Sequence, residues 1–88
     1  MTIHNIKLRQ WYADSVLSGE KNFEVRYNDR GYQKGDKVVF RVVDEAGCSV
    51  SHPLNEEEFE ITYLLQGWGL KENWCAFGIR REVDDEHT

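Results

Sequence analysis

Three side chains at fixed spacing could do chemistry on a ligand: Lys21, Glu24 and Arg26, within the stretch GEKNFEVRYNDR. An ammonium, a carboxylate and a guanidinium offer point-charge donors, paired acceptors and a planar fork of donors. Glu24 and Arg26 stand two positions apart, so on a strand they share a face at about 7 Å. Asn28, Asp29 and Arg30 follow in a turn able to fold back on them. Two readings follow from these residues. One is a solvated strand face, with exposed Glu–Arg pairs contributing at most about 1 kcal/mol each. The other is a ligand cleft, in which carboxylate and guanidinium read the hydrogen-bonding edge of a nucleobase while Lys21 or Arg30 holds a phosphate. Trp68, between Gly67 and Gly69, is the candidate stacking residue, with burial in the core as its alternative. Trp11 and Trp74 read as core or rim packing.

The elements that must position these groups are short. TIHNIKL at 2–8 reads as a strand. RQWYADSVLSG reads as a helix with Tyr12, Ala13, Val16 and Leu17 on one apolar stripe and Gly19 as its left-handed cap. NFEVRY is a strand whose Phe23, Val25 and Tyr27 are expected to face the core, with Glu24 and Arg26 on the other side. KVVFRVV is a nearly continuous apolar strand, DEAG a hairpin turn, and 48–54 a short strand ended by Pro53. EEEFEITYLLQ alternates, placing Phe59, Ile61, Tyr63 and Leu65 together. WCAFGIRR puts Cys75, Phe77 and Ile79 on one face. The order predicts a mainly β fold with α (α+β), a small barrel of five to six strands with one helix packed beside it. Residues 1–81 make a single domain and 82–88 an acidic, disordered tail.

Composition narrows the partners. The chain has 88 residues and a formal net charge of -5, unevenly spread. Residues 1–43 hold eight Lys/Arg against five acids; residues 44–88 hold three against eleven. An anion is met by the first half, while general affinity for duplex DNA is expected to be weak. No apolar run reaches the length of a membrane span, and MTIHNIKL is no signal peptide, so a cytoplasmic protein is expected. Cys48 and Cys75 stand apart, read as free thiols; neither metal nor other cofactor is expected. No long exposed apolar run demands a dimer, and the expectation is a monomer.

The pattern Gly19, Lys21, Glu24, Arg26 resembles the G-x-K-x-x-E-x-R signature of the ASCH domains, within the PUA-like superfamily. VLSGEKNFEVRYNDRGYQKGD, ITYLLQGWGLKENW and the closing AFGI extend the resemblance to a small phage and bacterial ASCH-related family, covering His4 to Ile79. The resemblance implies a PUA-like barrel with a cleft beside the helix, and binding of single-stranded RNA, a nucleotide or a modified nucleoside. It carries Lys21, Glu24 and Arg26 over from the signature, and Asn28, Asp29 and Arg30 from the adjoining turn. Some small bacterial ASCH proteins are amidohydrolases on acetylated cytidine, using a Lys, a Thr and a later Glu. Here Lys21 matches, Glu24 stands in place of the Thr, and the later Glu has no counterpart. The alternatives to a binding module are therefore a small amidohydrolase with Lys21 and Glu24 as its catalytic pair, and a phage-derived protein–protein adaptor using the acidic segment 44–60.

Overall fold

The computed structural model describes residues 1–82. Strand β1 (Ile3–Arg9) leads into helix α1 (Gln10–Ser18), followed by β2 (Phe23–Tyr27), β3 (Lys37–Val43), a 3₁₀ helix (Pro53–Glu56), β4 (Glu58–Gln66) and β5 (Trp74–Arg81). The fold is mainly β with one helix. Its single five-stranded sheet has the order β1-β3-β4-β5-β2 and curls into a half-barrel. β1 and β3 run parallel; every other pair is antiparallel. Pairing stops at β1 and β2, the two edges. The Arg26 side chain spans the seam between them, donating from Nη2 to the Lys7 carbonyl at 2.7 Å.

The short strand expected at 48–54 does not form. Val43 and Ser49 make an isolated bridge, and Pro53 then opens the 3₁₀ helix. The reason lies in side chains that replace strand pairing. Asn55 accepts from the Val42 amide at 2.8 Å and donates to the Val50 carbonyl at 2.9 Å. Leu54 is drawn fully into the core. His52 accepts from the Leu54 amide and donates to Asp14 at 2.7 Å, tying this turn to α1.

Ile6, Leu8, Val38, Phe40, Val42, Ile61 and Phe77 fill the concave side, closed by Ala13 and Val16 of α1. Of the expected helix stripe, Ala13 and Val16 are buried, Leu17 is half-buried and Tyr12 is exposed. Gly19 (φ 88°) ends the helix in the left-handed region, where a side chain would be strained. The chain reverses there, and the Lys21 amide donates back to the Ser15 carbonyl at 3.0 Å. That turn delivers Lys21 to the start of β2.

Two strand readings need correction. In β4 the register shifts between Ile61 and Tyr63. A bulge adds one residue and reverses the alternation beyond it. Tyr63 is therefore exposed, and Leu64, not Tyr63 or Leu65, packs on the core. Gly78 pairs with Tyr63 at this bulge, and a Cβ there would lie 2.8 Å from Thr62 Oγ1. In β2 the two faces are interchanged. Glu24, opposite Phe77, is only 4% exposed, while Phe23, Val25 and Tyr27 are all more than 40% exposed. Those three lie across from Gly78, Ala76 and Trp74, on the face of the strand opposite Glu24. Of the acidic tail, Glu82 is held in place: its amide donates to the Glu58 carbonyl at 2.8 Å and its carboxylate pairs with Lys37. The remainder of that segment lies outside the described residues. No described helix is long and apolar enough to cross a membrane.

Candidate functional site

The edge position of β2 makes the site. Because its partner on one side is β5 and on the other only the seam, its inward side chains look along a gap instead of into packed core. Glu24 points inward at that gap. The Gly19 turn brings Lys21 beside it, with Nζ 2.9 Å from Glu24 Oε2. Arg26 reaches from further along the strand, with Nη2 3.6 Å from Glu24 Oε1. The three groups thus converge, in the order ammonium, carboxylate, guanidinium. Lys21 also donates to the Phe23 carbonyl at 2.8 Å and lies over the Tyr12 and Phe23 rings.

They line a cleft of about 660 Å³ between β1 and β2, within the size range of small-molecule sites. Lys7 and Arg9 come from β1, Tyr12 from α1, Phe23, Val25 and Tyr27 from β2, and Trp74 from β5. Among the described residues the lining therefore carries four cations, Lys7, Arg9, Lys21 and Arg26, against one acid, Glu24. Tyr27 and Trp74 meet edge to face, their centroids 6.2 Å apart. Such a mixture of positive charge and aromatic faces suits an anionic ligand with a flat ring.

Of the residues singled out from sequence, Lys21, Glu24 and Arg26 share this cleft. Asn28, Asp29, Arg30 and Trp68 stand outside its lining. Asn28 organises the turn: its side chain accepts from the Tyr32 amide at 2.9 Å and its own amide donates to the Asn73 carbonyl at 2.8 Å. Asp29 and Arg30 are exposed. Trp68 is 89% exposed, in the left-handed region (φ 54°) between two glycines of positive φ, so burial in the core is ruled out. Sequence reasoning missed Lys7, Arg9, Tyr12 and Trp74. The alternation of IHNIKLR does put Lys7 and Arg9 on one face; nothing local says that this face borders β2.

A second polar cluster lies buried at the other end of β1. His4 donates to Asp36 Oδ2 at 2.8 Å, and the amides of Thr2 and Gln33 donate to the same carboxylate at 3.2 and 3.1 Å. Burial by itself would raise the Asp36 pKa, but these hydrogen bonds outweigh it and hold the carboxyl below its ordinary value. The Tyr32 ring packs 4.7 Å from His4 and 4.9 Å from Phe77. Burial pushes the Tyr32 hydroxyl up, opposed by the positive charges of Arg26 and Arg30. Burial likewise pushes up the Cys75 thiol; Cys75 and Cys48 are both free. Among the described residues no group of His, Cys, Asp and Glu has the arrangement of a metal site.

The Asp36 cluster carries a pH signature. A carboxyl whose pKa is lower folded than unfolded contributes stability that is complete above its unfolded value, about 3.9. That contribution disappears as pH falls through the lower folded value. The urea midpoint should therefore drop steeply below about pH 4, and Asp36→Asn should flatten this limb while lowering stability at neutral pH. Parallel urea titrations of both proteins from pH 3 to 7 test it; identical slopes would refute the role of Asp36.

Residues 3–79 match the family model described as "Domain of unknown function (DUF3850)". The chain belongs to this family. The DUF3850 match runs from the start of β1 into β5 and so takes in every residue of the cleft lining. A relative from Escherichia phage P2, "Uncharacterized 12.9 kDa protein in GpA 3'region", is 46% identical over 37 residues. That stretch is 42% of this chain and 34% of the phage protein, so the chain matches about a third of its relative's length. The crystal structure of hypothetical protein PH0355 superposes with a TM-score of 0.59, covering 93% of this chain and 100% of that one at 14% identity. At that identity the likeness speaks for the fold alone.

Proposed function

We propose that this DUF3850 chain is a binding module of ASCH, PUA-like type for single-stranded RNA or a nucleotide, seated in the cleft between β1 and β2. The observation that carries the reading is the convergence of Lys21, Glu24 and Arg26 on one cleft, a conjunction that a merely solvated strand would not need. Burying a carboxylate costs several kcal/mol unless it is paired, and the solvated-face reading required Glu24 to be exposed. The rest of the lining fits the same ligand. Lys7 and Arg9 supply charge for phosphate, and Tyr12, Tyr27 and Trp74 supply faces for a base. Among the described residues one arginine side chain bridges the seam, which suits one strand or one base and not a duplex.

Titration of isotopically labelled protein with the four mononucleotides and short oligoribonucleotides tests this by NMR. Saturable shifts are expected at Lys7, Lys21, Glu24, Arg26 and the Trp74 indole. Affinity should fall with salt, with a log–log slope of about −0.7 per phosphate contacted. Shifts confined to the acidic segment 44–60, or none at all, would defeat the reading.

A further inference from the structure

Glu24 has a feature that charge pairing leaves unexplained. Its side chain is only 6% exposed, and Oε2 is engaged by Lys21. Among the described residues Oε1 has no hydrogen-bond partner. Arg26 Nη2 lies 3.6 Å from it, close enough for attraction but too far for a hydrogen bond, and is committed instead to the Lys7 carbonyl. An ionised carboxylate has about four acceptor positions, and a buried oxygen with none of its own filled is a costly arrangement.

Resting on the cleft reading above, we infer that Glu24 Oε1 is the specificity acceptor, completed by an N–H on the hydrogen-bonding edge of the bound base. Oε1 is out of contact with solvent, so the incoming donor reaches it as the Arg26 guanidinium turns from Lys7 to the ligand. That exchange is matched by the ligand itself. Every standard base carries an N–H beside a carbonyl oxygen or ring nitrogen, so the base supplies a donor to Glu24 and an acceptor to Arg26 together. The substrate class is thus a nucleotide or strand whose base keeps that N–H, and bases stripped of it are rejected. Charge and stacking in the cleft would not make this distinction, because phosphate and ring faces are unchanged by it.

The decisive comparison removes the donor, without added bulk for adenine and cytosine and by methylation for guanine and uracil. AMP is titrated against purine riboside 5′-monophosphate, and CMP against the 5′-monophosphate of pyrimidin-2-one riboside. GMP is set against its N1,N2,N2-trimethyl form and UMP against its N3-methyl form, in which methyl groups replace every edge N–H. For the tightest of the four parent nucleotides, the donor-less form is expected to bind at least about tenfold more weakly, since sites that hydrogen-bond a substrate N–H strongly reject analogues lacking it. Glu24→Met keeps side-chain volume but removes the acceptor, and should shrink the difference to about twofold or less. Equal affinity of the unsubstituted chain for parent and donor-less nucleotide overturns the inference and leaves the cleft reading standing. So does discrimination that survives Glu24→Met. Absence of saturable binding by any mononucleotide or short RNA overturns both. Should Glu24→Met fail to fold, the analogue series on the unsubstituted chain decides alone.

Discussion

Replacing Lys21 and Arg26 together by Met should destabilise the protein by about 3 kcal/mol, and then replacing Glu24 by Leu as well should restore most of the loss. The first step leaves Glu24 buried with neither of its cations. Removing the partners of a buried charge costs about 3–5 kcal/mol. The low end applies here because Lys21 and Arg26 are themselves partly exposed, and water can enter once they are gone. The second step removes the unpaired charge, and apolar replacement of a whole buried ion cluster is often neutral. One correction enters: Arg26 also joins the two sheet edges through the Lys7 carbonyl, so recovery in the triple variant should stop about 1 kcal/mol short. Urea unfolding followed by tryptophan fluorescence measures all three proteins. Nucleotide binding should be absent from both variants, including the stable one. That separation of stability from binding is what a functional cluster predicts. A double variant as stable as the parent would show that Glu24 does not depend on its neighbours.

The second large effect is in the core beneath the site. Phe77 is 1% exposed, pairs directly with Glu24 across β2 and β5, and packs its ring on Tyr32. Phe77→Ala should cost about 3–5 kcal/mol. A domain of this length has a total stability of about 4–12 kcal/mol, at roughly 0.05–0.15 kcal/mol per residue, so the variant would stand close to unfolding. The matched control is Phe23→Ala. Phe23 is 49% exposed on the opposite face of the same strand pair, and its truncation should cost half as much or less. Calorimetry or urea midpoints of the two variants test the phase of β2 directly. Equal losses would mean that Phe23 is a core residue after all, with Glu24 on the surface.

That contrast also marks where local reading succeeded. β3 at 37–43 and β5 at 74–81 are strands as their apolar pattern predicts, and Gly19 is the left-handed helix cap that its position suggests. In each case the signal is local: apolar runs, period-two alternation, a glycine after the last turn. Cys75, Phe77 and Ile79 face inward as expected because β5 is central, with a neighbour on both sides and the core beneath it. β2 failed for the opposite reason. It is an edge strand beside an open seam, and the rule that apolar residues face inward has no force where the inside is a charged cleft. The bulge in β4 was likewise silent, because one extra residue in a strand leaves no compositional trace.

Residue order alone was enough to bring an amine, an acid and a guanidinium within one turn and one short strand, and to show that Glu24 and Arg26 share a side of it. Alternation along a strand says which side chains lie together, since successive residues point oppositely. It does not say which way that set faces. The tertiary structure decided that Glu24 goes inside, that Lys7 and Arg9 of β1 stand across the seam from it, and that Trp74, not Trp68, lines the cleft. Those outcomes depend on strand order and curl, set by pairings between residues tens of positions apart, and a window of neighbouring residues carries no information about them.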